Sequence, residues 1–215
     1  MSERAAPRRG ASPPAGEDLR GTSRPASRSN GRASRKAFLD ATGVLLRRQG
    51  YAATGLSEIV ERSGAPRGSL YFHFPGGKEE LAVAAMERTG EQLRRAIATL
   101  MTAPGGAGEA VSGLIGALAA GLAASDYRDG CPIATVTLET AGGSEVLRTT
   151  AAGIFDAWLG ELEAALRRAG VEAGAAERRA LLVLSAIEGA LLLSRARRDT
   201  APLLAVAEEL RPVLR

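Results

Sequence analysis

Residues 65–81, APRGSLYFHFPGGKEEL, gather Tyr71, Phe72 and Phe74 around the chain's single histidine, His73. The stretch then stops at Pro75-Gly76-Gly77 and restarts at Lys78. Pro66 suits the start of a helix, where its missing N–H costs nothing. RGSLYFHF therefore reads as a short helix closed by Pro-Gly-Gly. Before it, Thr54 or Gly55 precedes a two-turn helix with Leu56, Ile59 and Val60 on one face and Gly64 as its stop signal. Earlier still, the helical period begins at Ser34. Phe38, Ala41, Val44 and Leu45 share a face, and Gly50 follows the last turn.

Three short helices, the second and third joined by Ser63-Gly64-Ala65-Pro66, describe a helix-turn-helix. The third helix is then the element that enters the major groove of DNA. Leu70 and Phe74 face inward as core. Tyr71 and His73 carry polar tips on rigid bodies, suited to phosphate oxygens. Lys78 adds a cation beside the free N–H groups at the start of the next helix.

The charge distribution agrees. Residues 1–30 carry six Arg against three acids, and residues 31–80 carry eight Lys or Arg against five acids. Residues 81–215 carry fourteen basic residues against sixteen acids. A basic front on a mildly acidic body points to a polyanionic partner. Residues 1–30, rich in Pro, Gly, Ser, Ala and Arg, lack an apolar face and are expected to be a disordered basic arm.

The rest of the chain is helical by pattern. Val and Ile are sparse and rarely alternate, so the expectation is an all-α fold. A long fourth helix opens at Lys78, with Leu81, Ala85, Leu93, Ile97 and Leu100 inward. Ala103-Pro104-Gly105-Gly106 breaks the chain. Further helices are expected at about 108–125, from Pro132 to about Thr140, over SEVLRTTAAGIFDAWLGELEAALRRAG, from about Ala175 to Arg198, and from Pro202 to about Leu214. With no apolar run of about 18 residues, no membrane span is expected. The N-terminus lacks the apolar core of a secretory signal. The single cysteine excludes an internal disulfide and fits a reducing cytoplasm.

Phe38–Leu81 resembles the DNA-binding domain of TetR-type transcriptional regulators. FLDATGVLLRRQGY matches the family's first helix. TGLSEIVERSGAPRGSLYFHFPGGKEEL matches the second, the third and the start of the fourth. Pro-Gly-Gly-Lys is one residue longer than in most members. Together with GCPIATVTLETA at 130–141, that feature is similar to the LmrA/YxaF-like subgroup. The resemblance implies an all-α homodimer with a DNA-binding domain at 31–80 and a ligand-binding and dimerisation domain at 81–215. It also implies a repressor released from its operator by a small, hydrophobic, often aromatic molecule. Carried over, Thr54 would bond a phosphate, and Arg67, Ser69 and Phe72 would sit on or near the reading face. Tyr71, His73 and Lys78 would contact the backbone. Arg67 is the best candidate for a base contact, since a guanidinium pairs bidentately with guanine. Arg32 and Arg35 could follow the minor groove or flanking phosphates.

An apolar, Ala-rich C-terminal half leaves room for a cavity between helices. Its candidate lining is Met101, Leu118, Leu122, Ile133, Val136, Thr137, Phe155, Trp158 and Ile187. Glu139 and Glu188 lie inside otherwise apolar helices and either could meet a polar ligand group. The eighth helix is apolar nearly all round and must be covered on several sides. Ala186, Gly189, Ala190 and Leu193, with Leu203 and Leu210 on the ninth, are therefore the expected dimer interface. No cofactor or metal is expected: one Cys and one His form no ligand cluster. GGK at 76–78 is not a phosphate loop, because Glu79 stands where Ser or Thr would bind magnesium. Cys131, at a helix start, offers either a redox-sensitive thiol or a small apolar lining residue. An enzyme using the cavity is a further alternative, opposed by the scarcity of catalytic residue types. DNA binding without a ligand is another.

Overall fold

The computed structural model describes residues 25–102 and 104–214, with side chains from residue 30 onward. The expected arm thus lies outside the described residues up to residue 24. From Pro25 the chain is already helical, so the first helix starts nine residues before its apolar period does.

Among the described residues there are nine helices and no strand: α1 (Pro25–Ala53), α2 (Leu56–Ser63), α3 (Arg67–His73), α4 (Gly77–Leu100), α5 (Gly106–Ala124), α6 (Pro132–Thr140), α7 (Glu145–Arg168), α8 (Ala173–Arg197) and α9 (Ala201–Val213). The fold is all-α, as the periodicity requires. Local signals set most of the boundaries. Gly64 ends α2 in the left-handed region (φ 64°), and its N–H bonds Glu61 O. Pro132 opens α6 with the Cys131 sulfur as N-cap to the Ala134 N–H. Ser144 caps α7 through the Leu147 N–H at 3.2 Å. Glu172 caps α8 through the N–H groups of Gly174 and Ala175.

The α1–α3 unit closes over Phe38, Leu45, Leu46, Ile59, Leu70 and Phe74, all buried. Phe38 and Phe74 meet edge to face at 6.5 Å, a favoured aromatic geometry. Helix α4 then runs from this unit into the C-terminal half. There α4 packs along α7, α5 along α9, and α8 against α7 and α9. At Gly90 a Cβ would stand 2.7 Å from the Ile154 side chain, so a glycine sets the approach of α4 to α7. Trp158 fills the same crossing and donates from Nε1 to Gly90 O at 2.9 Å.

Helix α5 bears on the expectation that no helix spans a membrane. By length and composition it is apolar enough to cross a membrane. Its Val111, Leu114, Ile115 and Leu122 are buried in the core, which explains its apolarity within a packed helical domain.

Candidate nucleic-acid interface and ligand cavity

Helix α3 presents two faces. Leu70 and Phe74, the latter just past its end, are buried to 1% exposure, and Tyr71 (58% exposed) and Phe72 (81%) point outward. Arg67 and Gly68 are exposed beside them. Phe72 therefore does not pack into the core. Ser69 is half-buried and returns its hydroxyl to Pro66 O at 2.7 Å. His73 is half-buried, edge to face with Phe72 at 5.1 Å.

The flanking basic residues divide. Arg32 is exposed. Arg35 lies over the Phe74 ring at 5.3 Å, which holds it beside α3. Lys78 sits 4.3 Å above the Tyr51 ring and donates to Ala52 O at 3.3 Å. Thr54 is a correction. It is 1% exposed, and its hydroxyl donates to Gly50 O at 2.6 Å. It locks the α1–α2 junction from inside, and Gly55 takes the place before α2.

That junction is also fastened to the C-terminal half. Gly50 breaks α1 with φ 77° and ψ −172°, a region essentially open to glycine alone. The Glu139 carboxylate of α6 fills the space beside it and accepts from the Ala52 N–H at 2.8 Å. A Cβ on Gly50 would stand 1.8 Å from Glu139 Oε1. Glu139 is thus a junction residue. Nearby, Gly130 N–H donates to Arg47 O at 3.1 Å, and Arg195 of α8 donates to Arg48 O at 2.8 Å. Arg48 pairs with Asp129 at 2.8 Å.

Below this junction lies a cavity of about 400 Å³. Leu118, Leu122, Trp158 and Ile187 line it, as the sequence suggests. Thr137 and Phe155 instead line an adjoining hollow of about 360 Å³, together with Leu138, Gly189 and Leu192. Ile133 and Val136, fully buried, line neither; they are core of α6. Met101 lines neither, because it lies at the end of α4. The cavity's polar lining was not foreseen as a set: Arg47, Thr89, Gln92, Asp129 and Glu188. Arg47 belongs to α1, and nothing in its local sequence announces a distant turn as its neighbour.

Cys131 and Glu188 line both spaces. The thiol donates a hydrogen bond to Glu188, while burial, the larger effect, pushes the Glu188 carboxyl above its ordinary range. Burial and the neighbouring carboxylate push the Cys131 thiol far above the usual thiol range.

The expected interface residues also divide. Gly189 is exposed, Ala186 half-buried and Leu193 50% exposed. Ala190, Leu203 and Leu210 are at most 5% exposed; they belong to this chain's own core, because α9 packs on α5 and α8. On α8 and α9 the leucines left outward are Leu181, Leu182, Leu192, Leu193 and Leu204.

Comparison with known proteins matches this anatomy. Residues 38–85 match the model of bacterial regulatory proteins of the tetR family. Residues 107–209 match the C-terminal domain of LmrA/YxaF-like transcriptional regulators. The chain is 36% identical over 174 residues to the HTH-type transcriptional regulator LmrA of Bacillus subtilis (strain 168), covering 81% of this chain and 93% of that protein. It is 40% identical over 185 residues to the uncharacterized HTH-type transcriptional regulator YxaF of the same organism, covering 84% and 94%. A TetR transcriptional regulator from Legionella pneumophila shares the fold, with a TM-score of 0.76 at 20% identity over 84% of this chain and 97% of that one. The helix-turn-helix, the helical body behind it and these relatives together establish that the chain belongs to the TetR family of DNA-binding transcriptional regulators, with an LmrA/YxaF-like C-terminal domain.

Proposed function

We propose that the chain is a ligand-responsive repressor, released from a palindromic operator by a small apolar molecule, aromatic ones included. The observation that carries this reading is the cavity of about 400 Å³ lying between the C-terminal helices and the end of α1. A filled core would have favoured DNA binding without a ligand. Residues 31–80 act as the reading head and 81–215 as the ligand-binding and dimerisation body. Arg67, Tyr71 and Phe72 meet the DNA, with Arg67 on a base edge and Tyr71, His73 and Lys78 toward phosphates. Two copies pair through α8 and α9, setting the reading helices about one DNA turn, roughly 34 Å, apart. The protein works on DNA in the cytoplasm. In this reading it is not an enzyme: the only histidine, His73, stands on α3, and the thiol–carboxyl pair on the cavity, Cys131 and Glu188, has its thiol held well above the usual range. A redox switch at Cys131 is disfavoured, since a thiol held well above its usual range resists becoming the reactive thiolate.

Ligand binding shifts DNA affinity only by its differential affinity for the two packing states. Helix α4, which starts beside α3 and lines the cavity at Thr89, Leu93 and Ile97, carries the change. The test is selection of genomic fragments by the purified protein, then footprinting at two salt concentrations. The expected result is a short palindrome protected by wild type and lost in Arg67→Ala and Tyr71→Ala. Sequence-blind binding that fades with salt would sink the regulator reading.

A further inference from the structure

Arg47 is the one cavity residue contributed by the helix-turn-helix unit. Its pairing is incomplete. Asp129 Oδ1 is taken by Arg48 at 2.8 Å, whereas Arg47 reaches Asp129 Oδ2 only at 3.7 Å. Its Nε is buried and has no hydrogen-bond partner among the described residues. A buried donor without an acceptor costs about 1–3 kcal/mol, more when charged. A guanidinium offers donors only, so the group that answers it must be an acceptor. The same cavity is lined by the buried Ile97, Leu114, Trp158 and Leu162, and its carboxyl groups are Asp129, held by Arg48, and Glu188, whose pKa burial raises. Gln92, Ala117 and Gly121 are exposed and frame the mouth.

We infer that Arg47 is a ligand-binding residue, and that the cavity takes an apolar molecule carrying an anionic oxygen acceptor, which the terminal N–H groups of the Arg47 guanidinium engage; the side chain is 37% exposed, whereas Nε itself is closed off. The inference rests on the cavity being the ligand site. It adds that the occupant touches the DNA-binding unit directly, on the helix whose end leads through Gly50 to α2. The ligand's polar group is then bound by the part of the molecule that must move.

Trp158, the chain's only tryptophan, lines the cavity and serves as the optical donor. Energy transfer from it is measured to two probes of one aromatic frame. One is 8-anilinonaphthalene-1-sulfonate, which is anionic; the other is N-phenyl-1-naphthylamine, which lacks the sulfonate. Arg47→Met is expected to weaken the sulfonate probe about tenfold, the size of one charge-assisted hydrogen bond. It should leave the neutral probe within about twofold, and that retention also reports an intact fold. Arg47→Lys keeps the stem and the charge but lacks the guanidinium's planar fork of donors, and should lose about three- to fivefold for the sulfonate alone. Gly121→Phe, at a position where a Cβ meets nothing within 4 Å, should plug the mouth and weaken both probes. If Gly121→Phe blocks both probes but the Arg47 variants treat them alike, the Arg47 assignment falls and the ligand cavity stands. If wild type binds neither probe, or Gly121→Phe changes nothing, the cavity reading and this inference fall together.

Discussion

Glu188 shows what one carboxyl does when helix packing removes it from water. Burial raises its pKa above the ordinary 4.5, with the Cys131 hydrogen bond acting weakly the other way. In the folded state it therefore keeps a proton that the unfolded chain has released. The unfolded state binds fewer protons in that window, so this group's contribution falls as pH rises from about 4.5 through the raised value. Glu188→Gln removes the cost. Urea midpoints at pH 5 and pH 8 should show the Gln variant gaining on wild type at the higher pH. An equal gap at both would mean that Glu188 ionises freely. The same scale marks the limit of sequence reasoning. A Glu amid apolar neighbours was visible at 139 and at 188, but the two have different fates. Glu139 reaches across to the Ala52 N–H, and Glu188 turns to a thiol. Only the crossing of α6 with α1 decides the first. Thr54 misled for a similar reason: its position before α2 is a local fact, and its bond to Gly50 O belongs to the broken end of α1.

The short helices were the most legible, because their limits are written in glycine and proline. Gly64 stops α2, Pro66 precedes α3, and Pro132 opens α6. Along α3 and its C-cap, the alternation of Leu70 and Phe74 with Tyr71 and Phe72 divides core from surface correctly. A contrast of two phenylalanines tests that division. Phe74→Ala should cost about 3–5 kcal/mol, as a buried ring leaves a cavity. Phe72→Ala should stay within about 0.5 kcal/mol yet weaken operator protection. Chemical denaturation gives the first pair of values and footprinting the last; a large stability loss at Phe72 would return it to the core. Helix α8 was the least legible element. Apolar on nearly every side, it carries no stripe to say which face turns inward, so Ala190 was assigned to a partner when this chain already buries it.

The whole molecule is asymmetric in what it leaves uncovered. Leu181, Leu182, Leu192, Leu193 and Leu204 lie on two adjacent helices and are 47–63% exposed, a patch of the kind that marks association. If the dimer forms there, Leu193→Glu should shift the protein to monomer in sedimentation equilibrium while helicity stays near wild type. Leu203→Ala, on the buried side of α9, should instead cost about 2–5 kcal/mol and leave the oligomeric state of the folded protein unchanged. A dimer that survives Leu193→Glu would place the interface elsewhere. Of the cavity's apolar lining, Leu118, Leu122, Trp158 and Ile187 were legible from helix patterns; its charged half joins residues distant in the chain and needed the fold.

The fastening of the α1 end bears on how far this head is a module. Glu139, Asp129, Gly130 and Arg195 all grip residues 47–52, and α4 passes from head to body as one uninterrupted helix. A chimera that transplants residues 31–80 onto a foreign body would arrive without its Glu139 and with Gly50 facing an unfamiliar side chain. Grafts of this head will therefore need residues 129–139 to travel with it. In this chain, changes of operator preference are better sought by rewriting the outward face of α3 than by exchanging domains.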